Sequence, residues 1–278
     1  MSKYSHLGSK GLHKKSFLKI FKDVKAKGKQ VSPRGQLVLE IENYAYTLPP
    51  YVRFPSFAAR KLKLDYIKRE FLWYLKGDKF DRSIVEHASM WGGLINSDGS
   101  INSNYGQYIF FGDDNQFDTV VNTLKEDKDS RRASMMILRK EHLQSDTKDV
   151  PCTYCLNFRI RDNKLNMTVR MRSQDGIFGM GNDAPCFSFT HEMVAMALKE
   201  FYPDLQLGEY HHSADSFHVY ERHFKMLDEI VETGEFDFIK APAISGPEEV
   251  RFLRAGEFKK IPKEFQFTKW LNKFEKAE

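Results

Sequence analysis

The sequence predicts a single mixed α+β domain, and three patterns support this fold class. Apolar residues recur at helical spacing in residues 65–77, and residues 185–201 form a second, largely apolar helix pattern. Two segments of alternating polarity, residues 154–161 and 164–173, flank the turn-forming pair Asp162-Asn163. This arrangement predicts a β-hairpin with a two-residue turn. We therefore expect helices and strands to form one unit.

The N-terminal part of the chain predicts a basic helix and then a strand. Ser16 is a candidate N-cap for an apolar stripe that ends at Gly28. Alternation in residues 36–48 predicts the strand. Asp23 is the single acid among the many lysines of residues 1–30, so we expect the polar face of this helix to be basic and solvated.

The predicted helix of residues 65–77 carries a carboxylate in an aromatic stripe. Positions three and four apart lie on the same face of a helix. Glu70 therefore shares one face with Tyr66, Trp73 and Tyr74. A glycine directly after the pattern is expected to end the helix.

The composition excludes several classes of protein. Of 278 residues, 41% are hydrophobic and 14% aromatic, which supports a sizeable core and argues against disorder. The net charge of +5 suits anionic small molecules without making nucleic acid an obligatory partner. Three cysteines do not form a secreted disulfide framework, and no apolar run approaches the ~18 residues of a membrane span. We expect one domain over residues 1–278 of a soluble, cytoplasmic protein, with a basic extension over about residues 1–15.

The motif Cys152-x-x-Cys155 could be a redox pair, half of a metal site or a single reactive thiol. If the two-residue turn closes the hairpin, Cys152 lies opposite Ser173 and beside Arg172. A β-bulge would shift this register by one residue without changing the neighbourhood. Because a nearby cation lowers a thiol pKa, the geometry favours Cys152 as an activated nucleophile.

The other interpretations of the two cysteines have less support. Along an extended strand the two sulfurs point to opposite faces, which disfavours a redox pair. A zinc site would need a second cysteine pair or a matched histidine pair. The remaining alternative for Cys152 is a small buried apolar residue. The histidines that could have served a metal site are not spaced as a matching pair; they are His211, His212, His218 and His223.

Five motifs resemble the thymidylate synthase superfamily and occur in its order over most of residues 15–225. They are REFLWYLKGD (residues 69–78), DSRRASMMI (129–137), PC (151–152), MRSQDGIFGMGND (171–183) and DSFHVYERH (215–223). Within the superfamily, INSNYG (101–106), GND and FHVYERHF are more similar to the phage-type deoxycytidylate hydroxymethylases. The resemblance implies a thymidylate synthase-like fold: a large mixed sheet flanked by helices, with one sheet face forming a homodimer interface.

The resemblance also implies roles for individual residues. Cys152 would attack pyrimidine C6, Glu70 would organise water and proton transfers, and Tyr105 would lie near the nucleophile. Asp175 would line the pyrimidine and folate sites. Arg131 and Arg132 would reach the nucleotide phosphate across the dimer interface. The further nucleotide-binding residues would be Arg34, Arg172, Ser173, Asp183, His218 and Tyr220, and the folate-binding residues would be Glu70, Leu94, Asp175 and Gly179.

Asp183 departs from the asparagine that thymidylate synthases have at this position. An amide can both accept from uracil N3–H and donate to O4, whereas a carboxylate places an acceptor against O4. Cytosine offers an amino donor instead, so Asp183 indicates cytosine as the base. A mismatch costs about 1–3 kcal/mol per unpaired group. The alternative is that Asp183 is an exposed helix N-cap.

Three further departures bear on the reaction. Leu94 lies where thymidylate synthases carry a tryptophan that shields the intermediate, so water could enter. Thr153 follows the cysteine in place of the usual histidine. The C-terminal KFEKAE lacks the short apolar tail of thymidylate synthases. All three disfavour hydride transfer.

The resemblance therefore implies deoxycytidylate (dCMP) 5-hydroxymethylation for bacteriophage DNA modification, in the host cytoplasm if the chain is phage-encoded. The co-substrate would be 5,10-methylenetetrahydrofolate, with no metal. The enzymatic alternatives are dCMP C5-methylation, thymidylate synthesis from dUMP, and use of CMP. A more distant alternative is a nucleic-acid-binding regulator on the same fold, suggested by the basic N-terminus.

Overall fold

The computed structural model describes residues 8–112 and 115–274, and in them a mixed six-stranded sheet packs against helices. The strands are β1 (Lys29–Val31), β2 (Val38–Leu48), β3 (Ser134–Met136), β4 (Thr153–Arg161), β5 (Lys164–Asp175) and β6 (Gln206–Tyr220). The helices are α1 (Lys10–Lys27), α2 (Leu64–Lys76), α3 (Gly106–Ile109), α4 (Gln116–Glu126), α5 (Gly179–Leu198), α6 (Phe224–Thr233), α7 (Pro247–Ala255) and α8 (Gln266–Leu271). The predicted α+β class is confirmed.

The sheet has the strand order β1-β2-β6-β5-β4-β3. β5 and β6 run parallel, and the other neighbouring strands pair antiparallel, so the predicted mixed sheet is confirmed. The β4–β5 hairpin closes through Asp162 and Asn163, whose φ angles of 49° and 56° fit a two-residue turn of type I′. The hairpin brings Cys152, which directly precedes β4, next to Arg172 near the end of β5.

Helix α5 lies at the centre of the helical layer. It packs on β5, β6, α2, α4 and α7, and most of its residues are buried. The predicted buried helix is confirmed, but it begins at Gly179 rather than Pro185. The earlier start follows from the Asp175 carboxylate, which accepts hydrogen bonds from the backbone N–H groups just before the helix.

Helix α1 also begins earlier than the sequence predicts. Ser9, not Ser16, is the N-cap and accepts from the Leu12 N–H at 3.2 Å. The Ser16 hydroxyl lies inside the helix and donates to the Leu12 carbonyl one turn back, a bond that lets serine sit within a helix. The predicted end at Gly28 is confirmed.

The predicted extent of the domain, with a basic extension over about residues 1–15, stays a prediction. Residues 10–15 form the first turns of α1, whereas residues 1–7 and 275–278 lie outside the described part of the chain, together with the end of the KFEKAE segment. No helix in residues 8–112 and 115–274 has both the length and the apolar character to cross a membrane.

The sheet face opposite α5 carries partly exposed polar side chains, among them Asn157, Arg170 and Ser213. These residues alternate along their strands with the buried residues that face the helices. The homodimer predicted across this face stays a prediction.

Candidate active site

Cys152 directly precedes β4, next to a β-bulge. Between Thr153 and Cys155 the pairing of β4 with β5 shifts by one residue. The backbone of Cys152 therefore lies opposite Arg172 rather than Ser173, and the Arg172 N–H donates to the Cys152 carbonyl at 2.8 Å. The predicted register is wrong by this one residue, but the predicted neighbourhood is confirmed.

The Arg172 guanidinium holds the backbone that leads to the thiol. Its Nε donates to the Pro151 carbonyl at 3.1 Å, and its Nη2 donates to the Val150 carbonyl at 2.7 Å. The same Nη2 lies 3.6 Å from the Cys152 Sγ. The predicted contact between thiol and guanidinium is therefore present.

The predicted activation of the free thiol is wrong in direction. Burial raises the pKa of Cys152 above its usual value, and the Asp183 and Asp149 carboxylates raise it further. The Arg172 and Arg34 guanidinium groups lower this pKa, but they do not outweigh burial. Cys152 therefore rests as a neutral thiol at pH 7.

Cys155 has a different environment. It is buried, it accepts from the Asn157 amide at 3.2 Å, and neither it nor Cys152 forms a disulfide. The β-bulge interrupts the alternation of side chains between Cys152 and Cys155, so strand parity no longer places their sulfurs on opposite faces. The two cysteines are distinguished by their different contacts instead. Within residues 8–112 and 115–274, no group of three or more His, Cys, Asp or Glu residues is arranged to hold a metal ion.

Glu70 lies in a buried aromatic wall of α2. The hydroxyl groups of Tyr66 and Tyr74 donate to its Oε1 at 3.4 and 3.5 Å, and the Trp91 indole donates to the Tyr66 hydroxyl at 2.9 Å. Burial, followed by the Asp183 charge, raises the pKa of Glu70 to about 8. Glu70 is therefore largely protonated at pH 7. Its Oε2 is buried without a hydrogen-bond partner among the described residues.

The residue that faces this wall is Trp91 rather than Leu94. Both belong to a short 3₁₀ helix, Ser89–Leu94, and Leu94 packs on the core as a partly buried side chain. The Trp91 ring lies 5.4 Å from the Trp73 ring. The wall beside Glu70 therefore contains an indole, although position 94 is a leucine. The presence of Leu94 gives weaker support for water entry as a result.

Asp183 projects from the second turn of α5. Because α5 begins at Gly179, the alternative that Asp183 caps a helix is wrong. Gln174 donates to the Asp183 Oδ2 at 3.4 Å, and the Tyr46 hydroxyl donates to the Gln174 Oε1 at 3.3 Å. Burial, with a smaller contribution from Asp175, raises the pKa of Asp183 to about 7. This carboxyl group can therefore carry or release a proton near neutral pH.

Asp175 and Gly179 shape the start of α5. The Asp175 carboxylate accepts from the N–H groups of Ile177, Phe178 and Gly179 at 3.0, 3.1 and 3.4 Å. A side chain at Gly179 would approach the Asp175 Cβ to 3.3 Å. Asp175 therefore has a structural role in this turn, besides the ligand-binding role that the family resemblance implies.

Arg60 was not predicted, although it is buried against the same turn. Its Nε donates to the Ile177 carbonyl at 3.1 Å, and its guanidinium lies over the Phe178 ring. Burial lowers the pKa of Arg60 to about 10, so it stays charged at pH 7. Arg60 thus fixes the segment between Asp175 and Asp183.

His218 and Tyr220 lie at the end of β6, beside the end of β5. The parallel pairing places Asp175 next to His218. The Ser216 hydroxyl lies 3.3 Å from the His218 Nδ1 and hydrogen-bonds to Glu40 of β2. Burial lowers the pKa of His218, so its ring is neutral at pH 7. The Tyr220 ring meets His218 edge-on at 5.0 Å.

Tyr105 is buried between two rings. It stacks on Tyr74 at 5.5 Å and on Phe187 at 5.9 Å. Burial, followed by the charge of a Cys152 thiolate, raises the pKa of Tyr105. Its phenol is therefore close to the thiol, as the resemblance implies.

Arg34, Arg131 and Arg132 are exposed, but their distances from the thiol differ. Arg34 lies in the turn before β2, near enough for its charge to lower the pKa values of Cys152 and His218. Arg131 and Arg132 precede the edge strand β3, whose pairing places them beyond Asn157, toward the far end of β4. Because a strand rises about 3.3 Å per residue, roughly 25 Å separates them from Cys152 of the same chain.

The structure therefore brings most of the predicted residues together, at the ends of β4, β5 and β6 and on α2 and α5. Trp91 and Gln174 belong to the same site but were not predicted, whereas Tyr66 was predicted as a neighbour of Glu70 on one helix face. Gln174 lies within the predicted motif of residues 171–183. Its burial could not be predicted from an alternating strand pattern.

Comparison with known proteins agrees with this geometry. The family model "Thymidylate synthase" matches residues 15–253. The chain is 33% identical to the deoxycytidylate 5-hydroxymethyltransferase of Enterobacteria phage T6 over 199 residues, 68% of this chain and 80% of the relative. It is 28% identical to the deoxyuridylate hydroxymethyltransferase of Bacillus phage SP01 over 234 residues, 78% of this chain and 59% of the relative. It is also 28% identical to the thymidylate synthase of Fusobacterium nucleatum over 169 residues, 60% of this chain and 59% of the relative.

Members of this family use 5,10-methylenetetrahydrofolate as a co-substrate. The matched region includes Cys152, Glu70 and Asp183. The chain belongs to the thymidylate synthase family and is a one-carbon transferase.

Proposed function

We propose that this enzyme is a dCMP 5-hydroxymethyltransferase. It would convert dCMP, 5,10-methylenetetrahydrofolate and water to 5-hydroxymethyl-dCMP and tetrahydrofolate. The folate supplies a one-carbon unit at the oxidation level of formaldehyde, and because water completes the product, the folate is not oxidised. The relative from phage T6 has a name that states this activity, which supports the proposal.

The observation that carries the choice of base is the carboxyl group of Asp183, with a pKa of about 7. Cytosine presents an amino donor at C4 and an acceptor at N3. A carboxyl group that shares one proton with N3 and accepts from the amino group matches both. Uracil presents the reverse pattern, so it would leave buried polar groups unpaired at about 1–3 kcal/mol each. Gln174 orients the carboxyl group for this contact.

Cys152 acts as the nucleophile in this proposal. Its Sγ bonds to C6 of the pyrimidine, which makes C5 nucleophilic, and the thiol proton leaves to a base. C5 then attacks the methylene carbon of the folate and loses its own proton. The C–N bonds that hold this carbon to the folate break, which releases tetrahydrofolate and leaves an exocyclic methylene group on C5. Water adds to this group, and the bond from Sγ to C6 breaks to regenerate the thiol. Arg172 stabilises the thiolate that attacks C6 and the thiolate that leaves C6 at the end.

Glu70 would transfer protons and orient the reacting water molecule. A carboxyl group with a pKa of about 8 is protonated at rest and can give and recover a proton near neutral pH. Tyr66 and Tyr74 hold its Oε1, whereas Oε2 has no partner among the described residues. That oxygen is therefore available to a substrate or a water molecule.

The wall beside Glu70 fits a folate. Trp91 belongs to this wall and is 8% exposed, and the Glu70 Oε2, which has no partner among the described residues, offers a polar contact. Asp175 and Gly179 pack closely at the turn into α5, where a side chain at Gly179 would approach the Asp175 Cβ to 3.3 Å. These residues would hold the co-substrate, and no residue set in the proposal requires a metal.

The nucleotide would lie across the ends of β5 and β6. His218 and Tyr220 would contact the sugar hydroxyl, and Arg172, Ser173 and Arg34 would contact the phosphate. Arg131 and Arg132 are roughly 25 Å from Cys152 of their own chain along β4. They would therefore serve the phosphate of a second subunit, in a homodimer formed by the exposed sheet face.

Product analysis with dCMP and dUMP tests the proposal. We expect tetrahydrofolate and a hydroxymethylated nucleotide from dCMP, with no rise in dihydrofolate absorbance. Methylated dCMP with dihydrofolate would indicate a dCMP methylase. Efficient formation of dTMP from dUMP would overturn the proposal. Because the named hydroxymethyltransferase relatives come from phages, we also propose that the enzyme acts in the cytoplasm of a bacterial host, in the synthesis of modified DNA.

A further inference from the structure

We propose that Asp149 is a positioning residue, which joins the backbone that carries Cys152 to the backbone that carries Tyr105 and thereby fixes the nucleophile. The inference rests on the proposed function for the role of Cys152 as the nucleophile, and its kinetic test uses the proposed substrate dCMP. None of the roles assigned above involves Asp149. It precedes Cys152 by three residues, and its side chain is 3% exposed.

The side chain and the backbone of Asp149 both contact residues 96–103. Its Oδ1 accepts from the Ser103 hydroxyl and its Oδ2 from the Ser103 N–H, both at 2.6 Å. Its backbone carbonyl accepts from the Asn102 amide at 2.9 Å, and its N–H donates to the Asn96 Oδ1 at 3.2 Å. Tyr105, whose ring lies close to the thiol, follows two residues after Ser103. The loop that leads to the nucleophile is thus bound to the wall of the site.

Arg172 holds the same loop from the other side. It donates to the carbonyls of Val150 and Pro151, the two residues between Asp149 and Cys152. The nucleophile therefore follows a short segment that is bound at every residue. Because a displacement of about 1 Å can cost roughly a hundredfold in rate, this restraint matters for the attack on C6.

A carboxylate is required for the contact with Ser103. Two donors approach its two oxygens at once, and only a carboxylate accepts on both. An asparagine would turn an NH₂ group toward one of these donors. In the part of the chain that the structure describes, Asp149 is held by hydroxyl and amide donors rather than by a cation within 4 Å. A buried carboxylate with no paired cation is costly, which indicates a function beyond packing.

Asp149 also acts on the thiol through its charge. Four charged groups face Cys152: Asp149 and Asp183 raise its pKa, and Arg172 and Arg34 lower it. Removing the charge of Asp149 should therefore lower the pKa of Cys152. A residue with a merely structural role, distant from the thiol, would not change this pKa.

The experiment uses the full-length Asp149→Asn and Ser103→Ala enzymes, each compared with wild type. The pH dependence of iodoacetamide alkylation reports the thiol pKa, and a Cys152→Ala enzyme corrects for alkylation at Cys155 and Cys186. Steady-state kinetics with dCMP give kcat and KM separately. Because alkylation needs no nucleotide, this readout stands even if the proposed substrate is wrong.

We expect Asp149→Asn to alkylate with a lower apparent pKa than wild type, and kcat to fall by about tenfold to a hundredfold with KM close to the wild-type value. Ser103→Ala keeps the charge, so its alkylation profile should match wild type, while its kcat should fall. An unchanged alkylation profile in Asp149→Asn would overturn the proposal even if kcat fell. So would a wild-type kcat in Ser103→Ala. If Asp149→Asn fails to fold, the Ser103→Ala kinetics decide the question.

Discussion

The Arg172 guanidinium lies 3.6 Å from the Cys152 Sγ, yet the thiol pKa stays above its usual value. Burial removes water from the thiolate, and the carboxylates of Asp183 and Asp149 oppose the arginine. Arg172 therefore orders the loop that leads to the thiol, and in the proposed mechanism it would stabilise the thiolate. In this site burial, more than the surrounding charges, favours the neutral thiol.

Replacing Asp183 should change the base that the enzyme prefers. Asp183→Asn presents an amide that accepts from uracil N3–H and donates to O4, and it can no longer share a proton with cytosine N3. We expect kcat/KM for dCMP to fall by about tenfold to a hundredfold, and kcat/KM for dUMP to rise. The measurement is steady-state turnover with each nucleotide. Equal losses for both nucleotides would show that Asp183 does not read the base.

Gln174 should matter because it orients Asp183. Gln174→Leu removes the donor at 3.4 Å from the carboxyl group while keeping the volume of the side chain. We expect KM for dCMP to rise by about threefold to tenfold, in line with the loss of one hydrogen bond of about 1 kcal/mol. Tyr46→Phe, which removes only the hydroxyl that holds Gln174, should have a smaller effect in the same direction. A KM unchanged in both variants would contradict this account.

Glu70 should make stability depend on pH. Its pKa is raised from 4.5 to about 8, so the folded protein keeps a proton that the unfolded chain releases. The stability from this proton is fully present below the unfolded pKa and is lost as the pH rises through the folded pKa. Between these values, the free energy of unfolding should fall relative to Glu70→Gln by up to about 1.4 kcal/mol per pH unit.

Urea unfolding of wild type and Glu70→Gln over this pH range measures the difference. Because the Asp183 charge contributes to the raised pKa of Glu70, the comparison reports Glu70 together with this interaction. Parallel curves for the two proteins would show that the pKa of Glu70 is not raised on folding.

Arg131 and Arg132 should act on the active site of another subunit. An enzyme with Arg131→Ala and Arg132→Ala and an enzyme with Cys152→Ala should each be nearly inactive. If the arginines act across a dimer interface, a hybrid of the two contains one intact site. After free exchange of subunits we expect about one quarter of the wild-type activity to return. Mixtures that stay inactive, although native mass spectrometry shows hybrids, would place the arginines in their own subunit's site.

The sequence predicted the hairpin well, because period-two alternation and the Asp162-Asn163 turn together determine strand pairing. It could not predict the one-residue shift at Cys152, since no residue type marks this bulge. The start of α1 was also wrong, because Ser9 and Ser16 are equally good caps by composition, and the contact with Leu12 decides between them.

The surroundings of Cys152 were harder to predict than its position beside Arg172. Asp149 and Ser103 are 46 residues apart, and no periodicity relates them. The direction of the Cys152 pKa shift depends on burial and on the Asp183 charge, neither of which hairpin geometry contains. Trp91 lies in a short 3₁₀ helix, where the helical spacing that grouped Tyr66 with Glu70 does not apply.

The most direct test of the central claim is mass spectrometry of the nucleotide made from dCMP and 5,10-methylenetetrahydrofolate in ¹⁸O-labelled water. We predict a product heavier than dCMP by CH₂O, with the label in the new hydroxyl group, together with tetrahydrofolate. A product heavier by CH₂ alone, without label and accompanied by dihydrofolate, would contradict the account.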